Sequence, residues 1–285
     1  MEAALALAAA SSGAKSASSA SASAPWPPHA AGSGGANTNE EEEASEDESD
    51  DESGCVVVSG LAVADPACPR VLYWGSGSPP AWRARLCLEE KRVTYRSILL
   101  SFEKRQHKAP QILSLNPRGM VPIFVDGDTV LYESLGIIMY VELNVESPVS
   151  LMPDSRRMRA RALVRMNEAN NVSAVVGEVV YYMRRTAPEQ INEDYLRVKR
   201  EAMYKELALW ESYLDASDFL AGDQMSVADV SFFPTLAYTI RLGFDASKFH
   251  RLNQYYQRMC QRPAVQASWP PHWLTTQGAK PLKGL

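Results

Sequence analysis

Histidine and cysteine are scarce, four of each in 285 residues, and neither is clustered. Cys55, Cys68, Cys87 and Cys260 show no C-x-x-C pair and no metal-ligand spacing, so free thiols in a reducing compartment are expected. His29, His107, His250 and His272 are spread just as widely, and no metal site is expected from them. No apolar run is long enough to span a membrane; the run that begins at Leu135 is broken by Glu142. Bases are missing from residues 1–52 except for Lys15, which argues against an organelle transit peptide. Glu2 ahead of the apolar stretch 3–10 argues against a secretory leader, so a cytoplasmic location is expected. P-loop, G-x-S-x-G and H-E-x-x-H motifs are all missing. The loop Gly75-Ser76-Gly77-Ser78-Pro79-Pro80 puts Pro80 at the third glycine place of a dinucleotide fingerprint, and Tyr95, about 20 residues on, is not an acid.

Acid is concentrated in one place. Residues 40–52 hold ten acids and no base. Outside that run, and with Glu2 and Lys15 set aside, the chain has 28 bases and 23 acids. The slightly basic body suits an anionic ligand and does not by itself argue for nucleic acid. Residues 1–68 are Ala/Ser/Gly-rich and then acidic, with little to bury, and are expected to be a disordered tail and linker. Ser45 and Ser49 each precede an acid by three residues, as acidic-directed kinase sites do, and equally as serines of a soluble tail do.

From residue 69 the pattern becomes that of a folded body. Arg70-Val71-Leu72-Tyr73-Trp74 reads as a buried strand, and Ser78-Pro79-Pro80 opens a helix over 81–91 with Ser at the cap. A strand over 95–100, a helix over 109–115 and a hairpin of strands 121–125 and 129–132 follow, the turn pair being Asp126-Gly127. An apolar helix starts near Ser134. The order β-α-β-α-β-β-α within 69–147 points to a thioredoxin-like mixed sheet rather than a doubly wound one. The second domain, 148–285, reads as all helical: long amphipathic helices over 155–185 and 189–216, the capping box Ser226-Val227-Ala228-Asp229, an interior Pro234, and a last helix over 248–261.

Two stretches invite chemistry. Pro122 opens a strand, and a cis bond before it would turn the Val121 backbone outward to pair with an extended peptide. Glu133 would then hold the ligand's ammonium while Ser134, at a helix N-terminus, holds a carboxylate. A small anionic peptide fits that layout; the plain alternative is a trans edge proline and an ordinary cap at Ser134. The second stretch is Ser78. With Pro79 and Pro80 lacking N–H groups, its hydroxyl has few helix donors to serve and stands near a helix N-terminus, a setting that favours a bound thiolate. Ser76 and Tyr73 are the other candidates for this role, and Cys87 reads as core packing.

Residues 71–274 resemble the cytosolic glutathione S-transferases. Leu72-Tyr73-Trp74-Gly75-Ser76-Gly77-Ser78-Pro79-Pro80-Ala81-Trp82-Arg83 and Ala267-Ser268-Trp269-Pro270-Pro271-His272-Trp273-Leu274 look most like the rho class. Asn116-Pro117-Arg118-Gly119-Met120-Val121-Pro122, Glu133-Ser134 and Phe219-Leu220-Ala221-Gly222 with the capping box are shared more widely in that family. The resemblance implies reduced glutathione as co-substrate and no other cofactor. It implies a cis bond at Pro122, Val121 on the cysteinyl unit, Glu133 and Ser134 on the γ-glutamyl end, and Gln106 and His107 on the glycyl end. Ser78 aligns with the thiol-activating residue, and Pro79-Pro80 departs from the pattern of other classes. The implied activity is conjugation of glutathione to hydrophobic electrophiles in detoxification, with isomerase or peroxidase side reactions, in a homodimer. Tyr181, Tyr238 and Trp269 are expected to line the electrophile pocket. The competing expectation is a non-catalytic interaction module on the same fold.

Overall fold

A computed structural model describes residues 68–283. The expectations for the tail therefore lie, apart from Cys68, outside the described residues. The first half follows the expected order: β1 (Arg70–Trp74), α1 (Pro79–Glu90), β2 (Arg96–Leu99), α2 (Pro110–Leu115), β3 (Ile123–Asp126), β4 (Thr129–Tyr132) and α3 (Ser134–Asn144). The strands lie in the order β2-β1-β3-β4. β1 runs parallel to β2 and antiparallel to β3, and β4 returns antiparallel to β3. β1 is central and nearly all buried, which its continuous apolar composition requires.

The hairpin turns one residue later than the sequence suggested. Asp126 pairs with Thr129 and stays in the ladder, so the two loop residues are Gly127 and Asp128. Gly127 has φ +61°, a value that the first loop position demands and that Asp126, in a strand, does not need. Asp126 instead receives Arg70 Nε at 3.3 Å and the Tyr140 hydroxyl at 3.3 Å.

The second half is helical: α4 (Arg156–Arg185), α5 (Glu193–Tyr213), α6 (Val227–Arg241), α7 (His250–Cys260), α8 (Pro263–Ala267) and α9 (His272–Thr275). α6 is its axis, buried on nearly every side, and it starts from the full capping box between Ser226 and Asp229. Burial pushes the Asp229 carboxyl up to about 6, while donors from Leu220 N, Ser226 N and Ser226 Oγ hold it at 2.8–3.0 Å. Trp210 stacks on Phe232 with ring centroids 4.0 Å apart. Two short helices follow the one expected to be last. Pro263, which ends α7, also begins α8, because a ring without an N–H fits the first helical place.

A few buried polar side chains lock the halves together. Arg83 on α1 is 2% exposed. It donates to Ser231 O (2.6 Å), Asn170 Oδ1 (2.8 Å), Ser173 Oγ (3.0 Å) and Ala169 O (3.1 Å), all on α4 and α6. None of these acceptors is charged, and burial lowers the Arg83 guanidinium to about 10. Lys91 and Glu142 form a buried pair at 2.7 Å, and Glu142 also accepts from Leu151 N at 3.1 Å in the connecting segment. The C-terminal end clasps α1 as well: Trp82 Nε1 donates to Ser268 Oγ at 2.9 Å, and Arg262 forms a two-point contact with Glu90 at 2.6 and 2.9 Å.

Candidate active site

Strand direction alone gathers the candidate residues. Tyr73 pairs with Ile123, and Ile123 with Tyr132, so the C-terminal end of β1, the N-terminal end of β3 and the C-terminal end of β4 lie at one end of the sheet. β2 is parallel to β1 and finishes there too. The segments holding Ser76 and Ser78, Gln106 and His107, Val121 and Pro122, and Glu133 and Ser134 all leave the sheet at that end.

Ser78 is the N-cap of α1, with φ −88° and ψ 111°. Its Oγ accepts from Ala81 N at 3.4 Å, since Pro79 and Pro80 offer no donor. The hydroxyl proton is left free to donate. Ser76 stands differently: its Oγ shares a 2.5 Å hydrogen bond with His272 Nδ1. Gly77 lies between them at φ +79°, and a Cβ there would come 2.8 Å from His272 Cε1. Only glycine lets the loop and α9 approach this closely. Tyr73, the third candidate, is 7% exposed within β1. Burial drives the Cys87 thiol far up, which rules it out as a nucleophile.

The Val121–Pro122 peptide bond is cis. Asn116 fixes the loop ahead of it by donating to Met120 O at 2.8 Å and accepting from Arg118 N at 3.1 Å. Glu133 is exposed and sits at φ +74°, a backbone region that costs a non-glycine residue about 1–3 kcal/mol and that clusters at binding sites. Ser134 is the buried first residue of α3. Gln106 accepts from Ser101 N at 2.7 Å, so its amide braces the loop rather than facing the cleft. His107 does line the cleft; its Nδ1 is buried without a partner, and burial together with Lys108 and Arg105 lowers its pKa.

The cleft has a volume of about 570 Å³ between the two halves. Ser76, Ser78, His107 and Val121 wall one side, and Tyr181 and Tyr238 the other. Trp269, expected beside them, is not among the lining residues. Its ring packs edge-on against Trp82 (5.1 Å) and Trp273 (5.8 Å) in the core, and Trp273 takes the cleft face instead. Lys108, Arg184 and Arg241 also line the cleft, and no carboxylate does. Sequence reasoning missed His272, Arg184 and Arg241. Trp269 and Trp273 stand four residues apart in the sequence, which does not show which ring faces outward. Among the described residues no group of three or more His, Cys, Asp or Glu side chains could hold a metal, and no helix is long and apolar enough to cross a membrane.

Comparison with known proteins agrees with this geometry. Residues 77–143 match the model of the glutathione S-transferase N-terminal domain, and residues 174–263 that of the C-terminal domain. Glutathione S-transferase A of Pleuronectes platessa is 41% identical over 217 residues, covering 74% of this chain and 96% of the relative. The crystal structure of a glutathione S-transferase from the Antarctic clam Laternula elliptica superposes with a TM-score of 0.70 at 39% identity, covering 75% of this chain and 96% of that one. The glutathione transferase URE2P6 of Phanerochaete chrysosporium, solved in complex with oxidized glutathione, gives 0.63 at 26% identity, covering 73% and 97%.

Proposed function

Because the chain belongs to the glutathione S-transferase family, and is a transferase with reduced glutathione as its co-substrate, we propose that Ser78 activates the glutathione thiol. The observation that carries this reading is the free hydroxyl proton of Ser78 at the N-terminus of the twelve-residue helix α1. A glutathione sulfur at that point meets one O–H donor and the positive end of the helix dipole, and both favour thiolate. Lowering a thiol pKa from ~8.5 to ~6.5 corresponds to ~2.7 kcal/mol and makes thiolate the main form at neutral pH. The thiol proton passes to solvent, the sulfur pair forms a bond to the electrophilic carbon, and the leaving group departs with the electrons of the broken bond.

The rest of the tripeptide follows the end of the sheet. Val121 pairs by its main chain with the cysteinyl unit, beside Pro122. Glu133 meets the γ-glutamyl ammonium, and Ser134 with the first N–H groups of α3 meets the neighbouring carboxylate. His107 and Lys108 face the glycyl carboxylate, with Gln106 bracing their loop. Tyr181, Tyr238 and Trp273 take the electrophile. Cytoplasmic detoxification, rho-class membership and a two-fold homodimer complete the reading; edge strand β4 exposes Val130 and Tyr132, an apolar surface suited to a second copy.

Ser76 is the second reading, favoured by its hydrogen bond to His272. The test is conjugation of glutathione to an aryl halide by Ser78→Ala and Ser76→Ala. Loss of thiol activation in the first with retention in the second supports Ser78; the reverse transfers the role to Ser76.

A further inference from the structure

The electrophile side of the cleft has a charge its partner must answer. Arg184 lies in the last turn of α4, and Arg241 is the last residue of α6. Both line the cleft, and among the described residues neither forms an ion pair with a carboxylate. Their helix ends accommodate cations through the dipole, which accounts for the residue type but only in part for the charge, since each helix terminus is worth about half an elementary charge. Arg241 spends its guanidinium on neutral oxygens: Trp273 O at 3.2 Å, Thr276 Oγ1 at 3.0 Å and Thr276 O. It thereby holds the C-terminal segment over the cleft and keeps its positive field. Arg184 has no such structural duty. It is exposed and stands beside the Tyr238 hydroxyl, whose pKa burial raises and the Arg184 charge only partly brings back.

The surface between these cations is aromatic. Tyr238 and Trp273 stack at 6.3 Å with planes 23° apart, and Tyr181, 55% exposed, lines the same wall. Lys108 adds a third cation on the sheet side, at the glycyl end of the proposed glutathione path. A concave site with low-dielectric walls and charge of one sign concentrates the opposite sign. We infer that the preferred second substrate is an aromatic or conjugated electrophile bearing an anionic group, such as a carboxylate, with Arg184 meeting that group. This inference rests on the transferase reading and deepens it. The bond changes are those of that reaction: sulfur–carbon forms, and carbon–leaving group breaks with the electron pair on the leaving group.

The full chain is assayed with two matched aryl chlorides, neutral 1-chloro-2,4-dinitrobenzene and anionic 4-chloro-3,5-dinitrobenzoate. Each kcat/KM is divided by the rate constant of the same compound with free glutathione thiolate. The expected normalised preference for the anion is at least about fivefold, the scale of one exposed charge-assisted contact. Arg184→Gln brings the ratio close to one, Arg184→Glu inverts it, and added salt narrows it in the unaltered chain. A normalised ratio at or below one in the unaltered chain overturns the inference while leaving the transferase reading in place. A ratio unmoved by both Arg184 variants also overturns it. Failure to conjugate either compound removes the transferase reading and this inference together.

Discussion

The two walls of the cleft are built by different means. On the sheet side, position comes from the main chain: strand direction gathers four segments at one end, where α1 and α3 also begin. On the helical side, position comes from long side chains at the ends of α4 and α6 and from a C-terminal segment strapped down by Arg241. The first wall suits a ligand with a fixed peptide backbone. The second can change its chemistry by single substitutions without disturbing the fold. The difference separates a constant co-substrate from a variable one.

The largest expected effect breaks the joint between the walls. Arg83→Met removes the charge-assisted hydrogen bonds that tie α1 to α4 and α6 and should cost about 3 kcal/mol in chemical denaturation. A loss below 1 kcal/mol would mean that water or repacking substitutes for the guanidinium. Next is Ser78→Ala, which should reduce conjugation about 50-fold at pH 6.5, since a thiol pKa of ~8.5 leaves roughly one per cent thiolate there. Its deficit should shrink as pH rises above the free thiol value; a constant deficit would place the serine in binding rather than ionisation. Gly77→Ala forces a Cβ to 2.8 Å from His272 at φ +79° and should destabilise by about 1–2 kcal/mol, with a weakened Ser76–His272 contact.

The smallest effect is a pH dependence of the strap. Burial and Arg241 lower the His272 pKa, so the folded state prefers the neutral ring. That stabilisation is present above the ordinary histidine value of about 6.5 and is lost as pH falls through the lower folded value. His272→Asn should therefore show a shallower fall in melting temperature between pH 7 and pH 5 than the unaltered chain. A parallel fall in both would dissociate His272 from the acid response.

The same division explains what the sequence made legible. The sheet wall could be read because its signals are local: apolar strands, Ser78 before two prolines, and a hairpin leading into Ser134. Even the error at Asp126 is local, a choice between two turn positions that strand pairing decides. The helical wall could not be read, because it depends on which face of a helix another segment covers. Trp269 and Trp273 are four residues apart and equally apolar, yet one is packed behind Trp82 and the other faces the cleft. Arg184 and Arg241 lie 57 positions apart at the ends of two different helices, and only the packing of α4 against α6 brings them to one cleft. Gln106 and His107 are neighbours in a short helical turn, and only backbone geometry shows that one braces the loop while the other faces the space.

If the hydroxyl at the N-terminus of α1 ionises a bound thiol, the ultraviolet absorbance of thiolate in the protein–glutathione complex will show it on titration. The midpoint should lie about two pH units below that of free glutathione and return most of the way in Ser78→Ala. A bound thiol that titrates at the free value in the unaltered protein would contradict it.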